Sequence, residues 1–124
     1  PLYSSAASDV YKRQEQDVAQ LKNVIAYLND HYAFDIPLER LAKIACMGTT
    51  KLKTSFKQLQ GCTITEYIQQ RRMSQAEHLL IDTDFTMGQI AEMIGYSTSS
   101  RFAELFRKST GLLPIEYRKM AQQK

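Results

Sequence analysis

No run of 18 apolar residues occurs in this 124-residue chain, and no charged segment leads into an apolar core of signal-peptide type. The sequence therefore has neither a membrane-spanning helix nor a signal-peptide pattern. Cysteine is scarce: Cys46 and Cys62 lack CxxC spacing or any partner motif, which excludes a disulfide framework and predicts free thiols in a reducing compartment. No window shows the strict polar-apolar alternation of a half-buried strand. A Gly-rich phosphate loop, GxSxG, HExxH and a Cys/His nucleophile arrangement are all missing. His31 and His78 stand alone, with no cysteine or second histidine at ligand spacing, so the reading is of a non-enzyme with no metal and no cofactor. Charge of one sign is also lacking. Sixteen Lys and Arg against thirteen Asp and Glu leave +3, which permits a polyanionic partner without demanding one.

What is present is enough apolar material, 44%, for one small domain. Val18, Leu21, Ile25, Leu28 and Tyr32 recur at helical spacing. Three prolines and five glycines leave few interruptions. Breaks fall near Asp35-Ile36-Pro37, Met47-Gly48, Gly61, Thr83-Asp84, Gly95 and Gly111 to Pro114. They divide the chain into about seven helices, and the fold class is all-α. Residues 1–14 are Ser/Ala-rich, begin without Met and show no periodicity. They are read as a disordered linker or an extension foreign to the domain, which then spans 15–124.

The chain also repeats itself. Asp35-Ile36-Pro37-Leu38-Glu39-Arg40-Leu41-Ala42 matches Asp84-Phe85-Thr86-Met87-Gly88-Gln89-Ile90-Ala91 at an offset of 49. After the following turn the offset is 50, aligning Leu52, Phe56, Gly61 and Tyr67 with Phe102, Phe106, Gly111 and Tyr117. The second turn thus carries one extra residue. A short helix, a tight turn, a second helix with large apolar residues four apart and a Gly stop make a helix-turn-helix, here about 35–61 and again about 84–111. A linker helix of about 64–81 joins them.

The second helix of each unit, about 49–60 and 98–110, has two faces. At ~100° per residue, Leu52, Phe56 and Leu59 form one stripe, opposite Thr50, Lys53, Thr54 and Lys57. In the other unit Phe102, Phe106 and Ser109 are placed inward, with Ser100, Ala103, Glu104 and Arg107 outward, flanked by Arg101 and Lys108. Thr49 to Gln60 hold three lysines and no acid, so cationic charge gathers where a groove-entering helix needs it.

These residues carry a family resemblance. From about Val18 to Lys119 the chain resembles the DNA-binding domain of AraC-type bacterial transcription regulators. The shared elements are Leu41-Ala42, Leu52-x3-Phe56-Lys57 with Gly61, Tyr67-Ile68, Arg72-Met73-x2-Ala76-x2-Leu79-Leu80, Ile90-Ala91-x3-Gly95-Tyr96, Phe102-x3-Phe106-Arg107-Lys108, Gly111 and Pro114-x2-Tyr117-Arg118. The resemblance implies two helix-turn-helix subdomains on one long helix, binding of double-stranded promoter DNA in the bacterial cytoplasm, and control of transcription with RNA polymerase as a further partner. It places base contacts at Thr50, Lys53, Thr54, Ser99, Ser100, Arg101 and Glu104, and phosphate contacts at Lys57, Arg107 and Lys108. A helix of about 17 residues is roughly 26 Å long, which suits recognition helices entering successive major grooves ~34 Å apart. Lys53 and Arg101 match guanine acceptors, and Glu104 matches a cytosine amino group. The competing role for Glu104 is pairing with Arg107 or Lys108 along its own helix.

Other residues read as structural. Arg72 lies between Ile68 and Ala76 and needs an acceptor, with an ion pair expected. Cys46 takes the turn position of Gly95, and Met73, Met87 and Met93 fill the core. The alternative function is an all-α interaction module whose basic helices dock an acidic protein. The start without Met favours the C-terminal piece of a longer regulator, with the effector-binding domain outside this sequence.

Overall fold

The computed structural model describes residues 2–123, with side chains from Tyr11 onward. Among the described residues there are seven helices and no strand: α1 (Leu2–His31), α2 (Leu38–Ala45), α3 (Thr49–Gln60), α4 (Ile64–Asp82), α5 (Met87–Ile94), α6 (Ser99–Thr110) and α7 (Pro114–Gln122). Every predicted break is a loop. The linker helix and both second helices lie within a residue of their expected bounds.

The chain forms two compact units. One holds α1, α2, α3 and the start of α4; the other holds residues 32–35, the rest of α4, and α5 to α7. In the first unit α1, α2 and α3 pack on one another. They bury Leu21, Val24 and Leu28 of α1, Leu41, Ala42 and Ala45 of α2, and Leu52 and Phe56 of α3. The second unit gathers Met73, Ala76, Leu79 and Leu80 of α4 with Ile90, Ala91, Ile94, Phe102, Leu105 and Phe106. Phe106 meets Phe102 and Tyr117 edge to face, with centroids 5.7 and 5.4 Å away. This geometry suits the ring quadrupoles and orients α6 and α7 together. Burial, followed by the Glu77 carboxylate, pushes the Tyr117 phenol above its ordinary 10.0.

Both helix-turn-helix turns use one backbone device. At the end of α2, Cys46 is left-handed with φ 55°, and the Cys46 and Met47 amides donate to the carbonyls of Lys43 and Ala42. At the end of α5, Gly95 has φ 103°, and the Gly95 and Tyr96 amides donate to Glu92 and Ala91. These bonds satisfy carbonyls that a helix end leaves open. The donors and acceptors correspond at the offset of 49. The extra residue of the second unit lies between this cap and α6, as the change of offset requires. Thr98 then caps α6 by accepting from the Arg101 amide, whereas α3 starts after Gly48 with no side-chain cap. Thr86 and Gln89 form a reciprocal capping box on α5, a Thr-x-x-Gln pattern open to sequence inspection.

The structure differs from the expectations at several places. Helix α1 starts at Leu2, within the segment read as a disordered linker or a foreign extension, since no Pro or Gly interrupts residues 2–14 and Ala, Lys, Arg, Gln and Glu favour helix. The described side chains of Tyr11 to Gln14 are exposed, so this part of α1 adds nothing to the core. Val18 is exposed because the buried stripe centres on Val24, from which it is rotated by about 120° at 100° per residue. Leu59 and its counterpart Ser109 are exposed as well: both lie in the last turn, past the packed stripe, and Leu105 is the buried residue instead. Met73 is buried and Met87 packs against the core, but Met93 is 46% exposed.

Arg72 finds a main-chain acceptor rather than an ion pair. Its Nε donates to the Tyr32 carbonyl at 2.7 Å while its guanidinium covers the Tyr96 ring at 5.0 Å. A carbonyl meets the donor's need without the desolvation of a second charge. Arg118 acts similarly at the end of α4, donating to the Leu80 and Thr83 carbonyls.

The left-handed caps differ in what a side chain would meet. A Cβ on Gly95 would stand 2.6 Å from the Ala33 carbonyl oxygen and 3.0 Å from Arg72 Cζ. Gly95→Ala should therefore cost more than the ~1–2 kcal/mol of left-handed strain alone, and more than Gly111→Ala, where that space is open. Cys46→Gly should be neutral or stabilising by up to ~1 kcal/mol. Urea unfolding of the three variants measures the order; equal losses for Gly95→Ala and Gly111→Ala would contradict it.

Candidate nucleic-acid interface

Burial on one side of α3 and α6 decides what the other side presents. Leu52 and Phe56 are fully buried, and Thr50, Lys53, Thr54 and Lys57 are all exposed. In α6, Phe102, Leu105 and Phe106 are buried, and Ser99, Ser100, Arg101, Glu104, Arg107 and Lys108 are exposed. Each unit thus exposes its own set of the predicted residues on one helix.

The donors and acceptors on these faces are not equally available. Thr54 donates its hydroxyl to the Thr50 carbonyl at 3.1 Å, which fixes its rotamer and leaves the oxygen lone pairs and the methyl for a partner. Among the described residues Lys53 and Lys57 enter no ion pair, and neither do Arg107 and Lys108. Arg107 and Lys108 occupy the last turn of α6 and Lys57 that of α3, where the helix dipole favours cations. Glu104 is paired, but backward along the helix with Arg101, Oε2 to Nη1 3.6 Å, rather than with Arg107 or Lys108. Both side chains are more than half exposed, so the pair orients Arg101 more than it stabilises the fold.

One cation behaves differently from its neighbours in sequence. Lys51 Nζ lies 3.2 Å from Asp17 Oδ2 of α1, so one of the three α3 lysines is already ion-paired. Residue spacing within α3 holds no signal for this, because the acid is 34 positions away in sequence. Thr98, the α6 cap, was legible as a Thr just before an apolar-periodic run. Among the described residues no His, Cys, Asp and Glu cluster suits a metal ion, and no helix is long and apolar enough to cross a membrane.

Comparison with known proteins agrees with this architecture. A family model described as a helix-turn-helix domain matches residues 41–120. The bifunctional transcriptional activator/DNA repair enzyme AdaA of Bacillus subtilis is 33% identical over 99 residues, 80% of this chain and 47% of that protein. The transcriptional activator RhaS of Enterobacter sp. is 32% identical over 90% of this chain and 40% of its own length. The chain therefore spans less than half of these curated relatives. Among solved structures, the DNA-binding domain of the global transcriptional factor AdpA, in complex with a target DNA, superposes with a TM-score of 0.78 at 25% identity, covering 83% of this chain and 93% of that one. With a family match across both repeated units and relatives of this kind, the chain belongs to the AraC-type helix-turn-helix family.

Proposed function

We propose that the chain is the DNA-binding part of a transcription regulator that presents α3 and α6 to major grooves of promoter DNA, acting in the bacterial cytoplasm with RNA polymerase as its further partner. One observation carries the reading: in both repeats, the two large apolar residues four apart in the second helix, Leu52 and Phe56 or Phe102 and Phe106, are buried and every predicted contact residue is exposed. The complex of the AdpA domain with its target DNA supports it by similarity. The repair activity in AdaA's name belongs to that protein.

Roles follow from side-chain chemistry. Lys57, Arg107 and Lys108 are assigned to phosphates, where a cation displaces condensed counterions. Lys53 and Arg101 are assigned to guanine O6 and N7, and Thr50, Thr54, Ser99 and Ser100 to adaptable base contacts. Glu104 is assigned to a cytosine amino group while it steers Arg101, whose five donors allow one guanidinium to hold a carboxylate and a base together.

Binding should need no small molecule and should weaken steeply with salt. Neutralisation of about four to six phosphates gives a log–log slope of about −4 to −5. A slope near zero would remove the electrostatic basis of the proposal, and retention on an acidic protein with none on a duplex would favour the interaction-module alternative. Lys57→Ala and Arg107→Ala should weaken all duplexes by similar factors. Lys53→Ala and Arg101→Ala should cost about 1–3 kcal/mol on the preferred site and relax choice at one base pair. Affinities across a panel of single-base variants separate the classes.

The form of the site follows from the repeat. Palindromes arise from identical reading surfaces on two copies, and the two units of one chain carry unlike ones. A single chain should thus protect a non-palindromic site with two unlike blocks, since Thr50, Lys53 and Thr54 offer other chemistry than Ser100, Ala103 and Glu104. Footprinting with monomer tests this, and an inverted repeat occupied only by two chains would refute it.

A further inference from the structure

Lys51 and Arg101 occupy the same position of the repeat, at the offset of 50, and these are the two cations on α3 and α6 that are ion-paired among the described residues. The acids come from different places. Glu104 lies on the same helix as Arg101, but its counterpart on α3 is Thr54, which carries no charge. Asp17 of α1 supplies the missing carboxylate, 3.2 Å from Lys51 Nζ. Asp17 lies before residues 41–120, outside the part of the chain that the family model matches.

The outcomes of the two pairings differ because the cations differ. A guanidinium held at one nitrogen keeps other N–H groups for a base, whereas an ammonium is a compact charge that one carboxylate neutralises. Around the α3 axis Lys51 and Lys53 are about 160° apart at 100° per residue, on opposite flanks of the exposed face. Among the described residues Lys53 and Lys57 enter no ion pair, whereas Lys51, turned to α1, is held by the Asp17 carboxylate.

Resting on the DNA-binding reading above, we infer that Asp17 is a specificity-determining residue: it withholds Lys51 from the DNA backbone and so limits sequence-independent attraction on the α1 side of the first recognition helix. The pair is surface-accessible, with side-chain exposures of 59% for Lys51 and 34% for Asp17, so removing either charge leaves the core untouched. Each phosphate contact contributes equally to every duplex, and suppressing one raises the relative weight of base contacts.

The test uses the full chain, a duplex of random sequence and the selected preferred duplex, titrated from low to high salt. Asp17→Asn should steepen the random-duplex slope by ~0.9 and tighten binding at 0.1 M salt by up to about eight-fold, lowering the ratio of specific to non-specific affinity. Lys51→Gln alone should leave the slope of the parent chain, and the double variant should match Lys51→Gln. The inference is overturned by an unchanged slope in Asp17→Asn, or by a slope made shallower by ~0.9 in Lys51→Gln, which would make Lys51 a phosphate contact in the parent. Steepening by Asp17→Asn that persists in the double variant also overturns it, since the effect would then be a general field. A parent chain that binds no duplex removes the DNA-binding reading and this inference with it; a parent that binds, with any of the preceding results, removes the inference alone.

Discussion

A residue held at positive φ at the end of α2, and another at the end of α5, is what the rest of each unit depends on. At that residue the helix stops, its last carbonyls are taken by the next two amides, and the chain turns back so that a second helix packs against the first. Without the turn, Leu52 and Phe56, or Phe102 and Phe106, would have nothing to bury against. Their burial is what forces the opposite residues of α3 and α6 outward. Exposure of the contact residues is thus a consequence of backbone conformation three or four residues upstream of each second helix. The two units meet the requirement differently. Gly95 is demanded by the Ala33 carbonyl and the Arg72 guanidinium as well as by φ, whereas Cys46 bears the strain of a side chain in an exposed turn.

Charge is managed locally rather than in bulk. A net +3 is small, yet Lys53, Lys57, Arg107 and Lys108 are exposed on two helices and enter no ion pair among the described residues. Acids oppose the cations at one equivalent position only, from Asp17 in one unit and Glu104 in the other. In the second unit, charge is also used inside the fold without a counter-ion: Arg72 and Arg118 donate to main-chain carbonyls, and Arg72 lies against an aromatic face. Such donors tie loops to α4 with directional bonds.

Much of this was legible because the signals are short-range or repeated. Helix boundaries followed from Gly, Pro and the 3.6-residue period, and the self-match at offsets of 49 and 50 located both turns and the single insertion. Errors arose where a stripe outlasts its partner. Leu59 and Ser109 have the right angle and no element above them, and Val18 and Met93 are apolar yet lie off the packed side. The helix over residues 2–14 gave no such signal, as a helix can continue on intrinsic propensity with no amphipathic period to mark it.

Local chemistry was therefore decided by the sequence alone: seven helices, two repeated units, the caps and the polarity of α3 and α6 are set by residues within a few positions of one another. Pairing across long separations was decided only by the tertiary structure. Arg72 with the Tyr32 carbonyl, Arg118 with the Leu80 carbonyl, and Lys51 with Asp17 each join residues more than 30 positions apart. A cation's partner depends on which group packing brings within about 3 Å, and each of these arginines and lysines had several chemically equivalent acids or carbonyls to choose from.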